Sequence, residues 1–236
     1  MESSSFGRLI GALVAPGKTF RAIAERPTWA VALIVLLAAG TVVGVLANQR
    51  LDKDELRQTI KERIEKGQGQ ASAEQVERGV EMAEKVSSVT RWLIPVFAAA
   101  VYLLTNLFFW MAFRFFAGSG ISYKTSFSVL LHAFLPQVIS AVLTLPVLLS
   151  RESIGMEEAR SGILASSLAA FAPEDTGKVL RSLLSSLDFF SIWTLILLVI
   201  GYHLAARVSK GTAAAIVLVL WALYVGGKVG LATLFG

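Results

Sequence analysis

The sequence predicts an all-α integral membrane protein, and three observations carry that prediction. Of its 236 residues, 55% are hydrophobic and only 17% are charged, against about 25% charged in a soluble domain. The mean hydropathy is +0.64. The apolar residues also lie in long blocks instead of alternating with polar ones. Hydrocarbon selects this pattern because a spanning segment must satisfy its own backbone polar groups. A disordered or fibrous chain is excluded, and an ordinary soluble enzyme is a poor fit.

Charge-free stretches define the spans. Arg26 to Arg50 encloses 23 uncharged residues, Arg91 to Arg114 encloses 22, Lys124 to Arg151 encloses 26 and Asp188 to Arg207 encloses 18. Lys210 to Lys228 encloses 17, and the apolar run then continues to Gly236. A helix needs about 20 apolar residues to cross roughly 30 Å of hydrocarbon. Five spans fit, at about 28–48, 92–116, 125–149, 188–206 and 212–234. The first is too long for a signal-peptide core and starts too far into the chain, so it reads as a retained helix.

The intervening segments complete the layout. Residues 1–27 form an amphipathic anchor, with Phe6, Leu9, Ile10, Leu13 and Val14 at helical spacing and Phe20 and Ile23 beyond Pro16-Gly17. Residues 49–91 form a helical hairpin. Leu51, Leu56, Ile60 and Ile64 share one face, Gly67-Gln68-Gly69-Gln70 breaks it, and Ser72 with Gln75 starts the second arm as a capping box. In the 150–187 loop, helix is expected near 153–171 and again from Glu174 through Leu187, with a break at Pro173.

The N-terminal segment and the two short connections carry eight basic and two acidic residues, while the two long connections carry thirteen and fourteen. The positive-inside rule is weighted to short connections. The N-terminus is therefore expected in the cytoplasm, with Gly236 and both long loops outside. The net charge of +5 consists of loop charge, so no nucleic-acid partner is expected. Lys228, close to the outer end of the last span, can snorkel to the surface.

Little chemistry is visible. The absence of cysteine removes disulfides, thiolate catalysis and cysteine-ligated metals. Gly17-Lys18-Thr19 lacks the first glycine and the preceding strand of a phosphate loop, and Gly118-Ser119-Gly120 reads as a turn. His132 and His203 lie on different spans and belong to no metal-binding pair. The expectation is a non-enzyme without cofactor or metal.

Polar residues within spans are the remaining candidates, because hydrocarbon makes them costly unless partnered. Asn106 lies eight residues before Arg114, and His132 eight after Lys124, which puts both about 12 Å above the inner ends of adjacent spans and within reach of each other. Gln137 and Thr194 come out together near 20 Å. Pro136 and Pro146 make the third span irregular. Asn106, His132, Gln137 and Thr194 thus form a candidate polar cluster, either interhelical ties or the lining of a path. Gly40 with Gly44, and Gly226 with Gly230, form small-residue seams suited to packing within the bundle or to a homo-oligomer. Trp29, Trp92, Trp110 and Tyr202 fall near span ends, where interfacial aromatics belong.

Three segments resemble bacterial members of the Ypt-interacting-protein (Yip) domain family: APGKTFRAIAERPTW before the first span, LLSSLDFFSIW opening the fourth and ARVSKGTAAAIVLVLW opening the fifth. The resemblance implies a five-span inner-membrane protein with a cytoplasmic N-terminus. Eukaryotic relatives act in membrane traffic, and their small-GTPase docking is attributed to an N-terminal region carrying Asp-Leu-Tyr-Gly-Pro. That motif is absent here, so GTPase docking does not carry over. The function expected is a membrane organiser or adaptor that contacts lipids and a protein partner at the N-terminal segment or the hairpin. The alternative is a transporter or lipid-translocating protein with a polar path beside the kinked third span.

Overall fold

A computed structural model describes residues 4–68, 70, 72–173 and 175–235, and helices dominate it. Two short helices come first, α1 (Ser5–Val14) and α2 (Pro16–Glu25). Ser4 caps α1 by accepting from the amide of Gly7. Pro16 separates the two, since it has no N–H to continue α1 and is tolerated in the first turn of α2. Gly11 makes their close approach possible, because a Cβ there would lie 2.5 Å from Thr19 Oγ1.

The sequence expectation of a surface anchor is corrected at α2. Phe20 and Ile23 are fully buried, and α2 packs on two helices of the bundle, α6 (Tyr123–Ala133) and α10 (Phe189–Ala205). Arg8 on α1 is also buried, donating to the carbonyl of Arg26 at 2.5 Å and to Thr28 Oγ1 at 3.1 Å. Leu9 and Leu13 of α1 pack on the core, while Phe6, Ile10 and Val14 face outward. A short helix with one apolar stripe suits either a membrane surface or a bundle groove, and the pattern alone does not choose between them.

After α2 the chain rises through α3 (Ala30–Gln49) and enters a hairpin of α4 (Lys53–Gln68) and the first half of α5 (Ala73–Phe116). Ser72 and Gln75 form the expected reciprocal capping box. The pairs Lys53–Glu84 (3.2 Å) and Arg57–Glu77 (3.6 Å) link the arms, and Gly79 faces Ile60, where a Cβ would come within 2.7 Å. Without interruption at Pro95, α5 runs on for 44 residues, about 66 Å at 1.5 Å per residue.

The third long element is interrupted as Pro136 requires. α6 stops at Ala133, and α7 (Pro136–Ser150) restarts with Pro136 in its first turn. The chain continues through α10 to α11 (Lys210–Phe235). Among the described residues, four elements are long and apolar enough to cross a membrane: Ala30–Gln49, Trp92–Phe116, Tyr123–Ser150 and Lys210–Gly230. The 17 residues of α10 fall in the shorter class. Buried side chains of α2, α3, α5, α6, α10 and α11 make one core.

The 150–187 loop contains less helix than its sequence suggests. α8 covers only Met156–Ser161, because Gly162 ends it at φ +111. A 3₁₀ turn follows at Leu168–Phe171, then α9 (Lys178–Ser185). Extended stitching replaces the missing helix: Asp52 donates its amide to Ile154, which donates to Arg50, and Phe189 donates to Ser166. The two long connections are further joined where Met156 donates its amide to Glu55 (2.8 Å) and Arg50 donates to the Arg151 carbonyl.

Asp52 starts α4 by accepting from the amides of Glu55 and Asp54, which hold its carboxyl below the ordinary 3.8. This support is complete above about pH 4 and is lost as the pH falls through the lowered value. Acidification should therefore lower the protection of the Asp54 and Glu55 amides, relative to their intrinsic exchange at each pH, before it affects α10. Unchanged protection there once the Asp52 carboxyl is protonated would refute this.

Candidate functional site

The short 117–122 connection determines which polar groups meet. Gly118, at φ +59, turns the chain, and Ser119 donates its amide back to Phe113 at 3.1 Å. Trp110 Nε1 donates to the Ile121 carbonyl at 3.1 Å. The connection thus climbs back along α5, so that α6 begins level with Asn106. Asn106 Nδ2 donates to the carbonyl of Tyr123 (3.3 Å), while its Oδ1 accepts from Ser126 Oγ at 2.7 Å.

Ser126 also shares a hydrogen bond with the Tyr202 hydroxyl at 2.9 Å. The Tyr202 ring is stacked on Phe113 (4.3 Å between centroids) and on Phe109 (5.3 Å). Asn106, Ser126 and Tyr202 each have no exposed surface. The network therefore ties α5, α6 and α10 together through buried groups, with solvent excluded.

This arrangement replaces the expected Asn106–His132 contact. That contact assumed Arg114 and Lys124 to lie at one height, whereas α5 continues past Asn106 for ten residues to Phe116. His132 is buried higher on α6, where its Nδ1 bonds to the Ser128 carbonyl of its own helix at 2.8 Å. Gln137 and Thr194 do meet, with Nε2 donating to Oγ1 at 3.4 Å. Among the described residues, every buried side-chain nitrogen or oxygen has a hydrogen-bond partner.

Sequence reasoning missed Ser126 and misplaced Tyr202, which is a core residue and not an interfacial aromatic. The available signal was the i, i+4 pair Phe109 and Phe113, one aromatic face of α5 that calls for a flat partner on a neighbouring helix.

Gln137 also borders an open cavity of about 440 Å³ between α3, α7 and the 159–188 segment. Gly40 and Gly44 line one wall, Ser140 and Thr144 another, with Ser185 and Asp188 beyond. Lys228 reaches this region, donating to Ser185 (2.8 Å) and Ser186 (3.2 Å). Of the expected glycine seams, Gly44 packs on α5, where its Cβ would sit 3.6 Å from Ile94. A Cβ at Gly40 or Gly226 would meet nothing within 4 Å, so these two positions do not pack against a neighbouring helix among the described residues.

Membrane-length helices, a basic turn between paired spans and an N-terminal helix pair are therefore assembled around one core. The Yip1 domain profile matches residues 10–231. The chain belongs to the Yip1 domain family. It is also 31% identical over 214 residues to a protein of Bacillus subtilis (strain 168) named "Membrane protein YknW", covering 89% of this chain and 84% of that relative. No solved structure matches. The Yip1 match spans α2, the whole bundle and both long connections, so the α2–α10 packing and the Asn106–Ser126–Tyr202 network lie inside the family domain.

Proposed function

We propose that this Yip1 domain protein is a non-enzymatic membrane organiser that works through lipid contacts and a protein partner. In this reading α10 is a fifth span, its 17 residues covering about 26 Å. The N-terminus and short connections lie in the cytoplasm, and the hairpin and Gly236 lie outside. The observation that carries the reading is the contrast between interior and hairpin. Asn106, Ser126, Tyr202 and His132 are buried and hydrogen-bonded to the bundle. The α5 arm, by contrast, leaves Met82, Val86 and Val89 exposed at helical spacing ahead of Trp92.

That face extends about 15 Å beyond Trp92 and offers apolar side chains to a partner helix. Photo-crosslinkers at Met82 and Val86 in native membranes should capture one membrane protein reproducibly. Self-contacts alone at both positions would end the adaptor reading.

One observation favours a second reading, a lipid- or solute-translocating protein. The cavity at Gln137 lies beside the Pro136 break, where such a path calls for wet space. It requires flux that stops when Gly40→Leu fills the cavity.

A further inference from the structure

At the end of the bundle bearing the short connections, α2, residues 117–122 and residues 204–208 surround an open cavity of about 780 Å³. Arg21 and Glu25 line it from α2 and Arg207 from the turn between α10 and α11. Among the described residues, neither guanidinium is in an ion pair. The ion pairs described lie within 53–84 and at Arg151–Glu158, on the opposite end.

The walls are fixed. Ser119 Oγ donates to the Ala206 carbonyl at 2.9 Å and accepts from the Ile121 amide at 3.2 Å, joining the two connections. His203 Nδ1 bonds to the Val208 carbonyl at 2.6 Å. α2 is held against α10 where Phe20 covers Gly201. Arg207 is the one described non-glycine residue with a positive φ, +55. A left-handed arginine is disfavoured unless its surroundings impose it, and such backbone gathers at ligand clamps and switches.

We propose that this bowl binds a phosphate-bearing anion between Arg21 and Arg207, either the headgroup of an anionic phospholipid or a soluble phosphate. Guanidinium forks match phosphate oxygens in bidentate geometry. The hydroxyls of Ser122 and Thr125, which share a 2.8 Å hydrogen bond at the rim, add donors. Glu25 opposes an anion, but the N-terminal segment and the two short connections carry eight basic residues against that one carboxylate among the described residues. The inference uses the proposed orientation only to place the bowl at the inner leaflet. It is independent of any partner at the hairpin.

The full chain, purified in neutral detergent, is examined by native mass spectrometry with phosphatidylglycerol and phosphatidylcholine. It is also unfolded thermally in inorganic phosphate against chloride at matched ionic strength. The wild type should retain phosphatidylglycerol preferentially, and Arg21→Gln/Arg207→Gln should lower that retention by at least about fivefold. Lys18→Gln/Lys210→Gln removes the same charge outside the bowl and should retain the lipid. Phosphate stabilisation abolished only in the arginine variant, without lipid preference, would assign the bowl to a soluble phosphate. Equal loss in both variants, or no loss in either, overturns the site. Arg21 and Arg207 are exposed, so the variant's melting temperature without ligand should match the wild type. Hairpin crosslinking at Met82 is unaffected in either case.

Discussion

Replacing Gly201 with valine should destabilise the protein by about 3 kcal/mol and release α2 from the bundle. A Cβ at Gly201 would stand 2.6 Å from Val129 Cγ1 and 3.1 Å from the Phe20 ring. Val129 and Phe20 are both fully buried, and the branched valine has no free rotamer into which to retreat. Gly201→Ala should cost less, because the gain in helix propensity of about 1 kcal/mol offsets part of the clash. Unfolding in detergent measures the loss, and cleavage within 15–29 by added protease reports the detached α2. Gly226→Ala is the control: its Cβ meets nothing, and it should be neutral or slightly stabilising. Equal stability of Gly201→Val and wild type would show that α2 does not pack on α10.

Ser126→Ala should have the second largest effect, a loss of about 1–3 kcal/mol. A single oxygen there serves both Asn106 Oδ1 and the Tyr202 hydroxyl, and alanine leaves two buried polar groups without that partner. Tyr202→Phe removes the hydroxyl's contacts with Ser126 but keeps the stacked ring on Phe113 and Phe109 and leaves Ser126 bonded to Asn106, so it should cost less. In a double-mutant cycle the Asn106–Ser126 coupling should come out near 0.6 kcal/mol, because polar groups in a membrane-embedded unfolded chain also find partners. A Ser126→Ala variant as stable as the wild type would mean that the network contributes nothing to the bundle.

The span pattern was legible because hydrocarbon acts on residue type alone: charges bracket each apolar run, and length sets the crossing. The hairpin was legible from a local signal, since Ser72 and Gln75 cap α5 whatever surrounds them. What failed depended on heights and faces fixed by tertiary contacts. Counting residues inward from Arg114 and Lys124 paired Asn106 with His132, but the returning 117–122 connection offsets the two helices and brings Asn106 to Ser126. Gln137 and Thr194 escaped this error, as their hydrogen bond attests. Residues 16–25 showed an amphipathic helix but not which apolar surface would receive it. That surface is created by Gly201, whose missing side chain is a property of a helix about 180 residues away. In the 150–187 loop, apolar and charged residues alternated well enough to suggest helix, yet Gly162 and the stitching to residues 50–55 shortened it.

The central claim is that the buried polar side chains hold the bundle together and that the working surfaces lie outside it. Lipid and solute flux in proteoliposomes tests this most directly, comparing the wild type with Asn106→Ala, His132→Ala and Gly40→Leu. The account predicts no flux above empty vesicles, with Asn106→Ala and His132→Ala lowering stability only. Wild-type flux that disappears in folded variants would contradict it and make the buried groups, or the cavity at Gln137, the site of function.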